Sequence, residues 1–62
     1  MRKKVQFKQK YIAELCQMDL ENEMLKTEDI VEENGKYTLF YYVNGYVQEG
    51  RANTVIRRYT IG

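Results

Sequence analysis

Between Lys10 and Lys26, apolar residues recur at a spacing of four: Ile12, Cys16, Leu20 and Met24, with Tyr11, Leu15, Met18 and Leu25 beside them. Strong helix formers fill the intervening positions, so the spacing predicts one amphipathic helix over 10–26, with Glu14, Gln17, Glu21 and Asn22 toward water. Two features depart from an ideal pattern. No Ser, Thr, Asp or Asn stands near residue 10 to cap the helix, and the apolar positions drift round the cylinder instead of keeping to a narrow stripe. A break at Asp19 into two shorter pieces is the alternative reading.

From Glu28 onward the period changes. Lys36–Val43 is a run of β-branched and aromatic residues with an Asn-Gly pair on each side, Asn34-Gly35 and Asn44-Gly45. Asn-Gly tolerates positive φ at both turn positions, so each pair predicts a two-residue hairpin loop. That register sets Glu33 against Lys36, Glu32 against Tyr37 and Ile30 against Leu39. On the far side it sets Val43 against Tyr46, Tyr42 against Val47 and Tyr41 against Gln48. Opposite charges at Glu33 and Lys36 support the first hairpin. Residues 50–53 then read as a looser connection and 54–61 as a last strand. Upstream, Val5-Gln6-Phe7 alternates once, which makes residues 1–9 either a basic arm or a short edge strand guarded by lysines.

The predicted architecture is therefore α+β: a single domain over 1–62, with one amphipathic helix on a three- to four-stranded antiparallel β-meander spanning 28–61. A small half-open β-barrel, closed by the N-terminal strand, is the alternative. Alternation sorts the meander into two faces. One carries Ile30, Tyr37, Leu39, Tyr41, Val43 and Tyr46, with Val55, Tyr59 and Ile61. The other carries Val31, Thr38, Phe40, Tyr42, Val47 and Ile56, with Lys36, Glu49 and Arg58 around them. One helix covers one face, so Phe40, Tyr42, Val47 and Ile56 are left as an aromatic patch and as candidate interface residues.

Size sharpens that expectation. A chain of 62 residues buries only about 60% of its unfolded surface, and its stability is expected at roughly 3 to 9 kcal/mol. Cys16 is the single cysteine and histidine is absent, so neither an internal disulfide nor an ordinary structural zinc site can staple the fold. Tight packing or self-association, with a homodimer as the simplest form, is left to stabilise it.

The net charge of +1 conceals three blocks. Residues 1–10 carry +5, residues 11–35 carry −7 and residues 36–62 carry +3. The first reading is that basic ends pair with the acidic middle within the fold or a dimer. The second is that Arg2, Lys3, Lys4, Lys36, Arg51, Arg57 and Arg58 face an anionic partner.

Catalysis finds little to work with. Without histidine, acid–base chemistry at neutral pH would need a strongly perturbed carboxylate or lysine. Cys16 has the helical spacing of a core residue, not the setting of a nucleophile. The four glycines form no phosphate-binding loop, and Glu32 and Glu33, being adjacent in a strand, point to opposite faces and cannot chelate together. The sequence thus predicts no catalytic, cofactor-binding or metal-ligating residues, and neither a cofactor nor a small-molecule substrate.

No apolar run approaches the ~20 residues of a membrane span, and no secretory signal follows the basic start. The expected setting is the cytoplasm, and the composition suits a bacterial or phage source. The function expected is a non-enzymatic protein-interaction module, binding another protein or itself through the aromatic sheet face. The alternative is a small β-sheet nucleic-acid-binding protein, such as a DNA-binding regulator of phage or mobile-element type. It would stack Phe40 and Tyr42 on bases and track phosphates with the basic residues. The near-neutral charge weighs against it.

Overall fold

The first Asn-Gly pair makes the predicted hairpin. Asn34 and Gly35 both take positive φ, 52° and 76°, and join strand β2 (Val31–Glu33) to strand β3 (Lys36–Tyr42). Glu33 opposes Lys36 and Glu32 opposes Tyr37, the register that turn geometry dictates. A computed structural model of the chain describes residues 1–60. Within them the fold is α+β, with two helices and a three-stranded antiparallel sheet.

The N-terminal residues are a strand and not an arm. Strand β1 (Arg2–Phe7) pairs antiparallel with β3, setting Arg2 against Tyr42, Lys4 against Phe40 and Phe7 against Tyr37. The sheet order is β1-β3-β2, so Lys36–Tyr42 is central as predicted, but its second neighbour comes from the start of the chain. The sheet stays open: no pairing joins β1 to β2 among the described residues, so the half-open barrel is not formed.

Pairing on the β2 side contains an irregularity. Val31 opposes Thr38, yet Thr27 bridges Tyr41, so the 27–31 segment carries one residue more than the strand it faces. Such a surplus is a bulge, which bends the strand and re-aims a side chain. Here the expected pairing of Ile30 with Leu39 is lost and Ile30 packs against the core. Thr27 turns toward the helix layer, where Gln17 Nε2 lies 3.3 Å from its hydroxyl, and Glu28 turns to the opposite face.

Helix α1 (Lys10–Asn22) is continuous through Asp19 and ends four residues before the predicted boundary. Its start has no side-chain cap, as the sequence indicates. Its end is closed by backbone: Leu25 N–H donates to Leu20 C=O at 3.0 Å and Met24 N–H to Glu21 C=O at 3.0 Å. These two bonds define a Schellman motif, in which the residue at the left-handed position is usually glycine. Here it is Met24, at φ 65°. The hydrophobic contact that accompanies the motif is supplied by Leu20 and Leu25, both buried.

The second half of the predicted meander is overturned. Residues 45–60 form helix α2 (Gly45–Thr60), so the hairpin at Asn44-Gly45, the pairings of 41–43 with 46–48 and the strand over 54–60 do not exist; Ile61 lies outside the described residues. The physical reason is local. At the second pair only Gly45 has positive φ (86°), whereas a hairpin loop of that kind needs two. Gln48 Oε1 instead accepts the Asn44 N–H at 2.8 Å, the reach-back bond of a helix start. Ala52 and Val55 are buried and Ile56 and Tyr59 half-buried, a spacing of three and four that describes a helix face. Arg57 and Arg58 in the last turn complement the helix dipole.

Both helices lie against the same face of the sheet. Phe7, Leu39, Tyr41 and Val43 from the strands meet Ala13, Cys16 and Leu20 of α1 and Ala52 and Val55 of α2 in one buried cluster. Leu20, Leu39, Val55 and Cys16 are its fully buried side chains, worth about 1.5–3 kcal/mol each for residues of the Leu and Val type. Tyr59 donates a hydrogen bond to Asp19, and Arg58 lies 3.8 Å from the same carboxylate, tying α2 to α1. Lys3, on the helix side of β1, reaches Glu49 of α2 at 2.6 Å.

Candidate interaction surfaces

The opposite face of the sheet is uncovered, and a four-residue network occupies it. Arg2 extends across the strands so that its guanidinium carbon sits 3.9 Å from the centroid of the Phe40 ring. Its Nε and Nη2 each donate to Glu28 at 2.9 Å, one to each carboxylate oxygen. Tyr42 donates its hydroxyl proton to the same carboxylate. The arrangement follows from the fold: β1 puts Arg2 directly opposite Tyr42, and the bulge aims Glu28 across at both.

Charge in this network is matched. The Arg2 guanidinium, and secondarily the Tyr42 hydroxyl, hold the Glu28 carboxyl below the usual glutamate range. Reciprocally, hydrogen bonding to Glu28 pushes Arg2 and Tyr42 upward. A fork-on-carboxylate pair is geometrically specific, and the guanidinium plane over Phe40 adds a cation–π contact. Thr38, central on this face, is 2% exposed and accepts a hydrogen bond from Gln6 Nε2 at 3.1 Å.

The predicted interface set is therefore divided. Phe40 and Tyr42 do lie on the open sheet face, half-buried, but each has an intramolecular partner, Arg2 for Phe40 and Glu28 for Tyr42. Val47 and Ile56 are not on that face at all. Both belong to α2, in the other layer; Val47 is 71% exposed and Ile56 packs on the core. Glu49 and Arg58, expected around the same patch, also sit on α2.

The cations are divided in the same way. Arg2 and Lys4 belong to the open face, and Lys36 sits beside the hairpin turn. Lys3 points to the helix layer, and Arg51, Arg57 and Arg58 are on α2. Arg2, Lys3 and Arg58 are each paired with a carboxylate. No single basic surface gathers all seven.

A different surface emerges on α1. Tyr11, Leu15 and Met18 are 59%, 44% and 58% exposed. At i, i+4 and i+7 they form one stripe, and it faces away from the buried Ala13, Cys16 and Leu20. The drift of apolar positions round the helix is the sequence signal for it: the residues that blur the amphipathic pattern are a second apolar face. Lys10, Glu14 and Glu21 run along one flank of that stripe, all exposed. No basic residue stands in the last turn of α1 and no acid in the first, so α1 carries no charge of its own that compensates its helix dipole.

Cys16 is fully buried, and burial pushes its thiol up to about 11, away from the reactive thiolate. Among the described residues no three His, Cys, Asp or Glu side chains are grouped as metal ligands would be. No described helix is long and apolar enough to cross a membrane. No protein-family model matches the chain, and no curated protein or solved structure is detectably similar to it.

Proposed function

We propose that the protein is a non-catalytic protein-interaction module of the cytoplasm, acting as a regulator, inhibitor or accessory subunit. The observation that carries this reading is the outward stripe of Tyr11, Leu15 and Met18. Three large apolar side chains aligned on one helix, on the side away from the core, are the composition of a helix-mediated protein contact. The sheet face contributes a second, polar-aromatic surface, in which Arg2 is held over the Phe40 ring by Glu28. Arg with aromatic residues is the combination enriched at binding hot spots, and a rigid network loses little entropy on docking.

Nucleic-acid binding is the second reading. It is favoured by Lys4 and Lys36, which carry no salt bridge among the described residues. Against it, Glu28 neutralises the guanidinium best placed to meet a phosphate, and the remaining arginines lie in the other layer.

Affinity capture with three baits tests the reading: wild type, Leu15→Glu and Phe40→Glu, each in nuclease-treated extract of the native host. A protein partner retained by wild type and lost with either variant supports it. Wild type and both variants recovering the same proteins would remove both surfaces. Fluorescence anisotropy with single- and double-stranded oligonucleotides is the companion measurement. Binding that weakens steeply with salt and is reduced in Lys4→Glu would favour the second reading.

A further inference from the structure

We infer that the α1 stripe is occupied by the same stripe of a second copy, with the two helices antiparallel about a two-fold axis near Leu15. This rests on the stripe being a protein-binding surface and adds what binds there. A second copy fits for reasons of charge as well as shape. Along α1 the cation, Lys10, stands at the N-terminal end and the acid, Glu21, at the C-terminal end of the same flank. Each has the wrong sign for its own helix dipole. An antiparallel two-fold neighbour reverses that fault: it preserves the flank and inverts the direction, so Lys10 of each copy meets Glu21 of the other. The opposed helix dipoles then also compensate each other.

The apolar residues obey the same symmetry. With the axis beside Leu15, Tyr11 of one copy comes against Met18 of the other, and the two Leu15 side chains meet at the centre. Such a contact is isologous, as most homodimers are. Two features bear against it: Glu14, midway along the flank, is brought near its own copy, and one oxygen of Glu21 already accepts the Thr27 hydroxyl at 2.6 Å, which leaves the other oxygen for Lys10. Three apolar side chains per copy make a contact well below the standard size for a stable complex, so the dimer is reversible and weak.

Sedimentation equilibrium of the full chain, from low micromolar to millimolar concentration, tests this. Wild type is expected to form a reversible dimer with a dissociation constant between about 10 μM and 1 mM. Leu15→Glu, at an exposed position and with folding verified by circular dichroism, should be monomeric throughout. Glu14→Gln should tighten the dimer several-fold by removing the like-charge contact. Lys10→Glu should weaken it, and Lys10→Glu with Glu21→Lys should recover it. Wild type that stays monomeric at about 1 mM overturns the inference, as does a dimer that survives Leu15→Glu. A dimer lost only in Phe40→Glu would place self-association on the sheet and overturn it equally. A monomeric wild type whose partner capture is still lost in Leu15→Glu would sink the dimer alone, leaving the protein-binding reading intact.

Discussion

Arg2 lies over the ring of Phe40, 3.9 Å from its centroid, and this contact changes what the open sheet face is. An aromatic residue that would otherwise present bare apolar surface is roofed by a guanidinium whose position Glu28 fixes. The face is consequently polar at its outer layer and aromatic one layer down.

The network should be visible by titration. Glu28 titrates lower in the folded chain than in the unfolded one, so its interactions add stability above the ordinary glutamate pKa. That contribution fades as pH falls below that value and through the folded one. Carboxyl chemical shifts followed against pH should place the Glu28 midpoint below the ordinary glutamate range. In Arg2→Met its midpoint should rise toward the ordinary value. An unchanged midpoint would mean the fork is not populated in solution.

Met24→Gly should stabilise the protein by roughly 0.5–1 kcal/mol. A left-handed conformation costs a non-glycine residue about 1–2 kcal/mol, offset in part by the greater freedom glycine has when unfolded. Met24 is 85% exposed, so little packing is lost. Urea denaturation should show a higher midpoint with an unchanged slope.

Gly50→Ala is the complementary change. Gly50 lies inside α2, its φ is ordinary, and a methyl group there would meet nothing within 4 Å. Replacing an interior helical glycine by alanine is worth about 0.5–1 kcal/mol, equivalent to a melting temperature raised by several degrees in a domain of this size. A lowered melting temperature would argue that 45–60 is not helical in solution.

The thiol gives a direct report on the core. Cys16 is 0% exposed and its thiol is pushed up to about 11, so alkylation by iodoacetamide at pH 8 should be slow under native conditions. It should accelerate in step with urea unfolding. Rapid native labelling would contradict a closed core beneath α1.

The elements legible in the sequence are those whose signal is local. Asn34-Gly35 with Glu33 and Lys36 carries its own turn chemistry and register, and the spacing of Ile12, Cys16 and Leu20 suffices to place α1. The C-terminal helix was not legible because Thr54-Val55-Ile56 and Tyr59 have high strand propensity, and packing of Ala52 and Val55 on the core overrode it. The site shows the same division. Alternation alone puts Phe40 and Tyr42 on the face away from the helices. Their cover was not foreseen, because Arg2 reaches them only once β1 has paired with β3, and Glu28 only through the one-residue bulge.

The strand order β1-β3-β2 also governs how the fold assembles. The central strand follows both of its neighbours in the chain. The β2–β3 hairpin closes a two-residue loop and can form within microseconds. β1 must bridge a separation of 30 to 40 residues to reach its place, a closure whose entropy is recovered only when α1 is packed beneath it. Until β3 is free to pair, β1 stays a strand without a partner, carrying Arg2, Lys3 and Lys4 along its length. Its charge is what keeps that exposed edge from finding another strand in the interval.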